Sequence, residues 1–239
     1  MQAWLKEDWI GASARKATRI LWRAVEAQHL VATMSLVDTL DEQYLLEELL
    51  EAGKPPVPLA AVSLPFLLFT PFRYTSPYPS RFRAAHEPGI WYGAFDRQTA
   101  CAEVGYWRWR FLMDSDGLNG GELKTEHTLF QARVSGRHID LTRAPWDALA
   151  SHWCHPRDYS HCHQLAQQAR VRGLDWIRYD SARHPRGDCA AVLQPQALQL
   201  HEPTRAETWI CRVTRATVIF RHQKEGFSFE PEQDALRAT

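Results

Sequence analysis

Arg81-Phe82-Arg83, Gly89-Ile90-Trp91-Tyr92-Gly93-Ala94 and Ala100-Cys101-Ala102-Glu103-Val104 follow one another along the chain. They set two guanidinium groups, a phenol and a carboxylate on three successive local elements. The run from Gly89 to Ala94 is short, aromatic and bounded by Pro88-Gly89, which predicts a strand. Asp96 then reads as an N-cap, and Ala100, Val104, Trp107 and Phe111 follow at helical spacing. On that helix Glu103 falls about 60° from the centre of the apolar stripe. A carboxylate placed there loses part of its water and asks for a cation, which Arg81 or Arg83 can supply. A structural ion pair tying loop to helix is the plainer account of the same residues.

A second stretch adds to the first. Gly173-Leu174-Asp175-Trp176-Ile177-Arg178-Tyr179-Asp180 leads into Ser181-Ala182-Arg183, and Gly187-Asp188-Cys189-Ala190-Ala191-Val192-Leu193 follows. Two apolar strands thus flank a polar turn carrying Ser181. Further strands are expected over Leu67–Tyr74, Thr128–Val134 and Thr217–Phe220, and helices over Asp96–Met113 and Tyr159–Arg172, with Asp114–Glu122 a loop. There is no βαβ rhythm, so the class is α+β. Residues 15–52 read as helical from Ile20, Leu21, Ala24 and Val25 and later Leu45, Leu46, Leu49 and Leu50, with Asp41 the N-cap of the second helix. Gly53-Lys54-Pro55-Pro56 ends that helix. Residues 1–56 are therefore expected to be an N-terminal helical extension, packed on a catalytic domain at 57–239, with a polar end from Glu230 to Thr239 that frays.

Composition bounds the function. The 239 residues suffice for one sizeable core. Lys plus Arg and Asp plus Glu stand at 28 each, so no basic excess points to nucleic acid as a direct ligand. The apolar run Ala60–Phe69 is interrupted by Pro65 and too short to span a bilayer. The N-terminus, with Lys6, Glu7 and Asp8 between Trp4 and Trp9, lacks the apolar centre of a signal peptide. Five cysteines, an odd number, suit a reduced, cytoplasmic protein. Ten tryptophans imply a large apolar core or a sticky partner surface.

Several rival constellations are weaker. His152, Cys154, His155, His161, Cys162 and His163 resemble a zinc set. However, the adjacent residues His161 to His163 point to different faces of a helix, and no second Cys-x-x-Cys pair completes four ligands. Cys154 with His155 is a poor nucleophile–base pair because sequence neighbours rarely face each other. Ser181 lacks the Gly-x-Ser-x-Gly elbow, and neither a dinucleotide fingerprint nor a Walker loop is present. Within Trp107-Arg108-Trp109-Arg110, Trp107 joins the apolar stripe and is expected in the core, with Arg108 and Arg110 solvated.

The two quoted stretches together resemble the RES-domain family, over roughly Pro71 to Leu200. Arg73 stands in a Phe-Arg-Tyr context, Arg81 precedes an aromatic residue and Tyr92 ends the next strand. Glu103 lies in an Ala-x-x-Glu helix, and Ser181 precedes a small residue after a strand. Arg83 replaces the Asn often found there, and Asp188 stands where Asn is frequent. The resemblance implies a toxin of a bacterial toxin–antitoxin pair that destroys NAD⁺, on a fold similar to ADP-ribosyltransferase toxins. It implies no metal and no resident cofactor, NAD⁺ being the substrate. The partner would be an antitoxin with a helix-turn-helix DNA-binding part that covers the cleft, and a homodimer stays open.

By the same resemblance, Arg81 binds the pyrophosphate, where guanidinium makes bidentate contacts, and Arg73 either contacts the substrate too or only braces Glu103. Tyr92 stacks on nicotinamide or positions the ribose. Glu103 binds ribose hydroxyls and stabilises the cation that forms, and Ser181 hydrogen-bonds nicotinamide or ribose. Water, phosphate or a protein side chain could be the acceptor, giving glycohydrolase, phosphorolase or ADP-ribosyltransferase. A non-catalytic interaction protein with a merely structural Arg–Glu set is the alternative of a different class.

Overall fold

The computed structural model describes residue 4 and residues 8–27, 32–118, 121–200 and 206–231. Its strands are β1 (Arg15–Glu26), β2 (Trp91–Ala94), β3 (Leu123–Asp140), β4 (Trp176–Asp180), β5 (Asp188–Val192), β6 (Leu198–Leu200), β7 (Glu207–Val213), β8 (Val218–His222) and β9 (Glu225–Phe229). The helices described are α1 (Trp9–Ser13), α2 (Leu40–Ala52), α3 (Phe66–Arg73), α4 (Arg97–Asp114), α5 (Ala150–Trp153) and α6 (Ser160–Val171). This is the mixed α+β class that the sequence predicts.

β3 organises the sheet. One of its edges pairs antiparallel with β1, from Arg15↔His138 to Glu26↔His127. The other is shared among β7, β6 and β4. The strand order is β1-β2-β5-β4-β3-β7-β8-β9, and the added β1–β3 pairing closes the first five strands into a ring. A single pair, Trp22↔Ala94, completes the β1–β2 side. Only the β3–β4 ladder is parallel; the other pairings are antiparallel.

Three apolar clusters fill the faces of this sheet. Leu21, Leu68, Phe72, Trp91, Phe130 and Trp176 pack beneath α3, Phe82, Ile139, Trp146, Trp153, Leu165 and Ile177 beneath α6, and Cys101, Trp109, Leu112, Leu129, Trp209 and Phe220 beneath α4. Trp4, Trp91, Trp146, Trp153, Trp176 and Trp209 are fully buried. Most of the tryptophan load therefore belongs to the core, where truncating one such ring typically costs about 3–5 kcal/mol.

Three local expectations are corrected. Residues 15–26 form β1, not a helix: adjacent apolar residues such as Ile20 and Leu21 fit either period, and twelve paired positions on β3 decide the outcome. The predicted helical extension over 1–56 thus contributes a strand to the main sheet. Residues 66–73 form α3, not a strand, because Leu68 and Phe72 at i, i+4 drop into the core. At α2 the N-cap is Thr39, in a capping box with Glu42, rather than Asp41. β6, β7 and β9 have no counterpart among the predicted strands, and Thr128–Val134 is the centre of a longer one. Of the end expected to fray, residues 232–239 lie outside the described residues.

α4 is capped as predicted, with Asp96 Oδ1 accepting the Thr99 amide at 2.7 Å, but it is rotated from the predicted face. Cys101, Gly105, Trp109 and Leu112 meet the sheet. A Cβ on Gly105 would lie 2.9 Å from Val218 Cγ1 and 3.0 Å from Phe220 Cε2, so the glycine lets the helix lie close on β8. Trp109 is the core residue, its indole donating to the Arg215 carbonyl at 2.9 Å. Trp107 and Phe111 stay about half exposed. Arg108 pairs with Glu26 and Arg110 with Asp114. The packed side thus combines small residues, Cys101 and Gly105, with Trp109 and Leu112. As a result Glu103 and Trp107 face a cleft, and Ala100 and Val104 line it while also packing against the core.

Candidate active site

That cleft has a volume of about 410 Å³. Its walls are the α4 face, Arg23 on β1, Tyr92 on β2, the loop from Ser76 to Arg83, and Tyr159, Tyr179, Arg183 and Cys189. Glu103 is the only carboxylate on the lining among the described residues. Among the described residues no Lys, Arg or His nitrogen forms an ion pair with it. This corrects the expected Arg–Glu contact. Ser181 Oγ donates to Glu103 Oε1 at 2.6 Å, and Cys189 Sγ approaches the same oxygen at 3.8 Å. Burial and the Glu103 charge hold the Cys189 thiol well above its ordinary pKa, so it stays a neutral donor.

Ser181 has no freedom to act as a nucleophile. Its oxygen accepts the amides of Arg183 and His184 at 3.1 and 3.0 Å, and its one proton goes to Glu103. Among the described residues the His184 ring makes no hydrogen bond to Ser181; only its backbone amide does. Thr99 donates its hydroxyl proton to Asp96 at 2.7 Å, so His184 Nδ1, 2.7 Å from that oxygen, must itself be the donor. Ser181 is buried behind Glu103 and does not line the cleft.

Arg81 is only 8% exposed. It donates to the carbonyls of Trp153 and His155 at 2.7 and 3.0 Å and lies over the Tyr159 ring. Burial opposes its charge, but Glu103, Tyr179 and Tyr159 outweigh that and raise its hold on the proton. Arg83 donates to the carbonyls of Ser76 and Tyr78 at 3.1 and 2.5 Å. Tyr92 accepts the Phe82 amide at 3.0 Å and shares a hydrogen bond with Ser80 at 2.9 Å, while burial pushes its pKa up to about 12. The phenol is thus a fixed neutral group on the cleft wall.

The structure brings Arg81, Tyr92 and Glu103 together on the cleft, with Ser181 one step behind. Arg73 lies elsewhere: it pairs with Glu51 at 2.7 Å and donates to the Pro55 carbonyl at 2.6 Å, tying α2 to α3. Asp188 is likewise off the cleft, sharing Arg178 with Asp140.

Two cleft arginines had no role in the sequence reading. Arg23 donates to the Tyr92 carbonyl at 2.7 Å and lies over Trp91, and burial lowers its pKa to about 10. Arg183 stacks 3.5 Å from the Tyr106 ring centre and donates to Pro156, leaving Nη1 buried without a partner. Arg183 stood within a quoted motif, whereas Arg23 sat in a segment read as helix and carried no local signal. Arg23, Arg81, Arg83 and Arg183 have no carboxylate ion-pair partner among the described residues.

The histidine–cysteine cluster disperses. His152 stacks on His161, His163 reaches the Ser80 carbonyl, His155 Nδ1 accepts the amides of Arg157 and Asp158, and Cys154 and Cys162 point at carbonyls. Among the described residues no three His, Cys, Asp or Glu side chains converge as metal ligands would. None of the described helices is long and apolar enough to cross a membrane.

A buried arginine cluster around one serine-held glutamate, on a mixed sheet, is the class of site that these residues define. The RES domain profile matches residues 59–213, and the chain belongs to the RES-domain family. Among solved structures it is similar to a chain of the M. tuberculosis MbcT–MbcA toxin–antitoxin complex, at 13% identity and a TM-score of 0.47, over 96% of this chain and 95% of that one. No curated protein matches it in sequence.

Proposed function

We propose that the protein is the toxin of a toxin–antitoxin pair and that it depletes NAD⁺ by cleaving the nicotinamide–ribose bond. The observation that carries this reading is a cleft in which, among the described residues, Glu103 is the lone carboxylate and four arginines lack carboxylate partners. Arginines without intramolecular counter-ions favour an anionic ligand, and the pyrophosphate of NAD⁺ offers two charges to planar donors.

The single carboxylate fits this bond. Ordinary glycoside cleavage uses two carboxyl groups, one of which protonates the leaving group. Nicotinamide is bound to ribose as a pyridinium and departs as a neutral base, so no acid is required. Glu103 is left with one task, to stabilise the oxocarbenium-like centre and orient the acceptor. Ser181 and Cys189 fix Oε1 by donating to it, which leaves Oε2 for the substrate. Tyr92 and the exposed Trp107 offer ring surface to nicotinamide or ribose. No bound cofactor or metal enters the scheme, and Ser181 acts through Glu103 instead of touching the substrate.

The sheet closed through β1 and β3 serves in this reading as an ADP-ribosyltransferase-like scaffold, and the protein works in the cytoplasm. Its partner is an antitoxin with a helix-turn-helix DNA-binding part that covers the cleft mouth, where Trp107 and Tyr78 stand exposed. Expression with and without such a partner tests the toxin half of the proposal. Growth arrest and a fall in cellular NAD⁺ on expressing the chain alone, both prevented by Glu103→Gln, are expected. Normal growth with abundant folded protein would contradict it. The acceptor follows from the product, which is ADP-ribose with water or a phosphorylated ADP-ribose with inorganic phosphate.

A further inference from the structure

A second chamber of about 330 Å³ adjoins the cleft on the far side of Arg23, Arg83 and Tyr92, which line both spaces together with Ser76 and Ser80. Beyond that shared wall its lining is mainly apolar, with Val25, Leu67, Pro71, Tyr74 and Ile90, and it contains no carboxylate. The Thr70 hydroxyl is spent on the Phe66 carbonyl of its own helix. The wall itself is cationic: Arg23 and Arg83 have no ion-pair partner among the described residues, and Arg23 Nε is buried with no hydrogen-bond partner.

This arrangement is a mainly apolar compartment, then two guanidiniums with no ion-pair partner among the described residues, then the compartment holding Glu103. A ligand that fills it has a ring system at each end and an anionic bridge between them. We infer that the second chamber is the subsite for the far nucleoside of a dinucleotide, with the bridging pyrophosphate on Arg23 and Arg83. The protein therefore selects dinucleotides over nicotinamide mononucleotide. This rests on the reading of the Glu103 cleft as the site of nicotinamide release; it assigns the bridge to Arg23 and Arg83 and adds Leu67, which no part of that reading requires. A mononucleotide leaves the chamber empty and forgoes both the apolar contact and half of the bridge.

The test compares NAD⁺ with nicotinamide mononucleotide on the full chain and measures ADP binding directly. Leu67→Trp and Thr70→Trp each fill the chamber from α3, and two variants guard against one that misfolds. The wild-type kcat/KM should favour NAD⁺ by at least about tenfold, and each folded variant should shrink that ratio by about tenfold or more. ADP should bind the wild type and bind each variant at least about tenfold more weakly. Equal kcat/KM for both substrates, or Trp variants that keep the wild-type ratio and ADP affinity, would overturn the inference. If neither substrate is consumed, the cleavage reading fails by itself. ADP binding that both variants abolish would then still support the chamber, and absence of ADP binding would refute it.

Discussion

Ser181 Oγ lies 2.6 Å from Glu103 Oε1, with its two acceptor positions filled by the amides of Arg183 and His184. The loop after β4 thereby fixes a hydroxyl whose only free act is to donate to the cleft carboxylate. In the proposed mechanism Ser181 acts by positioning Glu103, whereas the family resemblance implies direct contact with substrate.

Ser181→Ala should therefore lower kcat for NAD⁺ consumption roughly 10- to 100-fold, the worth of one hydrogen bond to a charged group, with KM little changed. Steady-state kinetics on a variant of normal circular dichroism checks this. A rise in KM at unchanged kcat would place the hydroxyl on the substrate.

Arg81→Lys should fail on two counts. A lysine cannot span the Trp153 and His155 carbonyls and still present a planar face to a phosphate. About 1–3 kcal/mol of stability should be lost through the unsatisfied carbonyls, along with affinity for NAD⁺. Urea denaturation and turnover at subsaturating NAD⁺ measure the two effects separately.

Trp107 and Trp109 separate packed face from cleft face on α4. Trp109→Ala should cost about 3–5 kcal/mol by emptying the core beneath β8. Trp107→Ala should stay within about 0.5 kcal/mol of wild type. Equilibrium unfolding of both variants decides whether the helix is oriented as described.

His127 should make stability depend on pH. Burial, aided by Arg108, lowers its pKa to about 4, while Thr125 and the edge of Phe220 surround the ring. The unfolded chain binds a proton near pH 6.5 and the native state only near 4, so stability is full above the former and drains away as pH falls toward the latter. The loss should approach about 3 kcal/mol at most. Melting temperatures between pH 7 and 4.5 should fall less steeply in His127→Phe.

The sequence made the local pieces legible where one period dominated. Asp96 capped its helix, Trp91–Ala94 and Trp176–Asp180 formed strands, and Ser160–Val171 formed a helix within the predicted Tyr159–Arg172. It misled where adjacent apolar residues fit both periods, as at Ile20-Leu21, and where a strand partner lay far along the chain. Three candidate site residues, Arg81, Tyr92 and Glu103, share the cleft. Arg73 leaves it because its counter-ion Glu51 sits on α2, a pairing that no local pattern encodes. Arg23 enters it only because β1 crosses to β2 through Trp22 and Ala94. Long-range pairing decided what local reading could not.

The central claim is that Glu103 drives release of nicotinamide from NAD⁺, and chromatography of NAD⁺ incubated with purified protein tests it most directly. Nicotinamide should form mole for mole with the NAD⁺ lost, with or without added phosphate according to the acceptor. Glu103→Gln should be slower by about 10²–10⁴-fold while melting like the wild type. Intact NAD⁺ after incubation with folded wild-type protein under both conditions, or a Glu103→Gln variant as fast as wild type, would contradict the account.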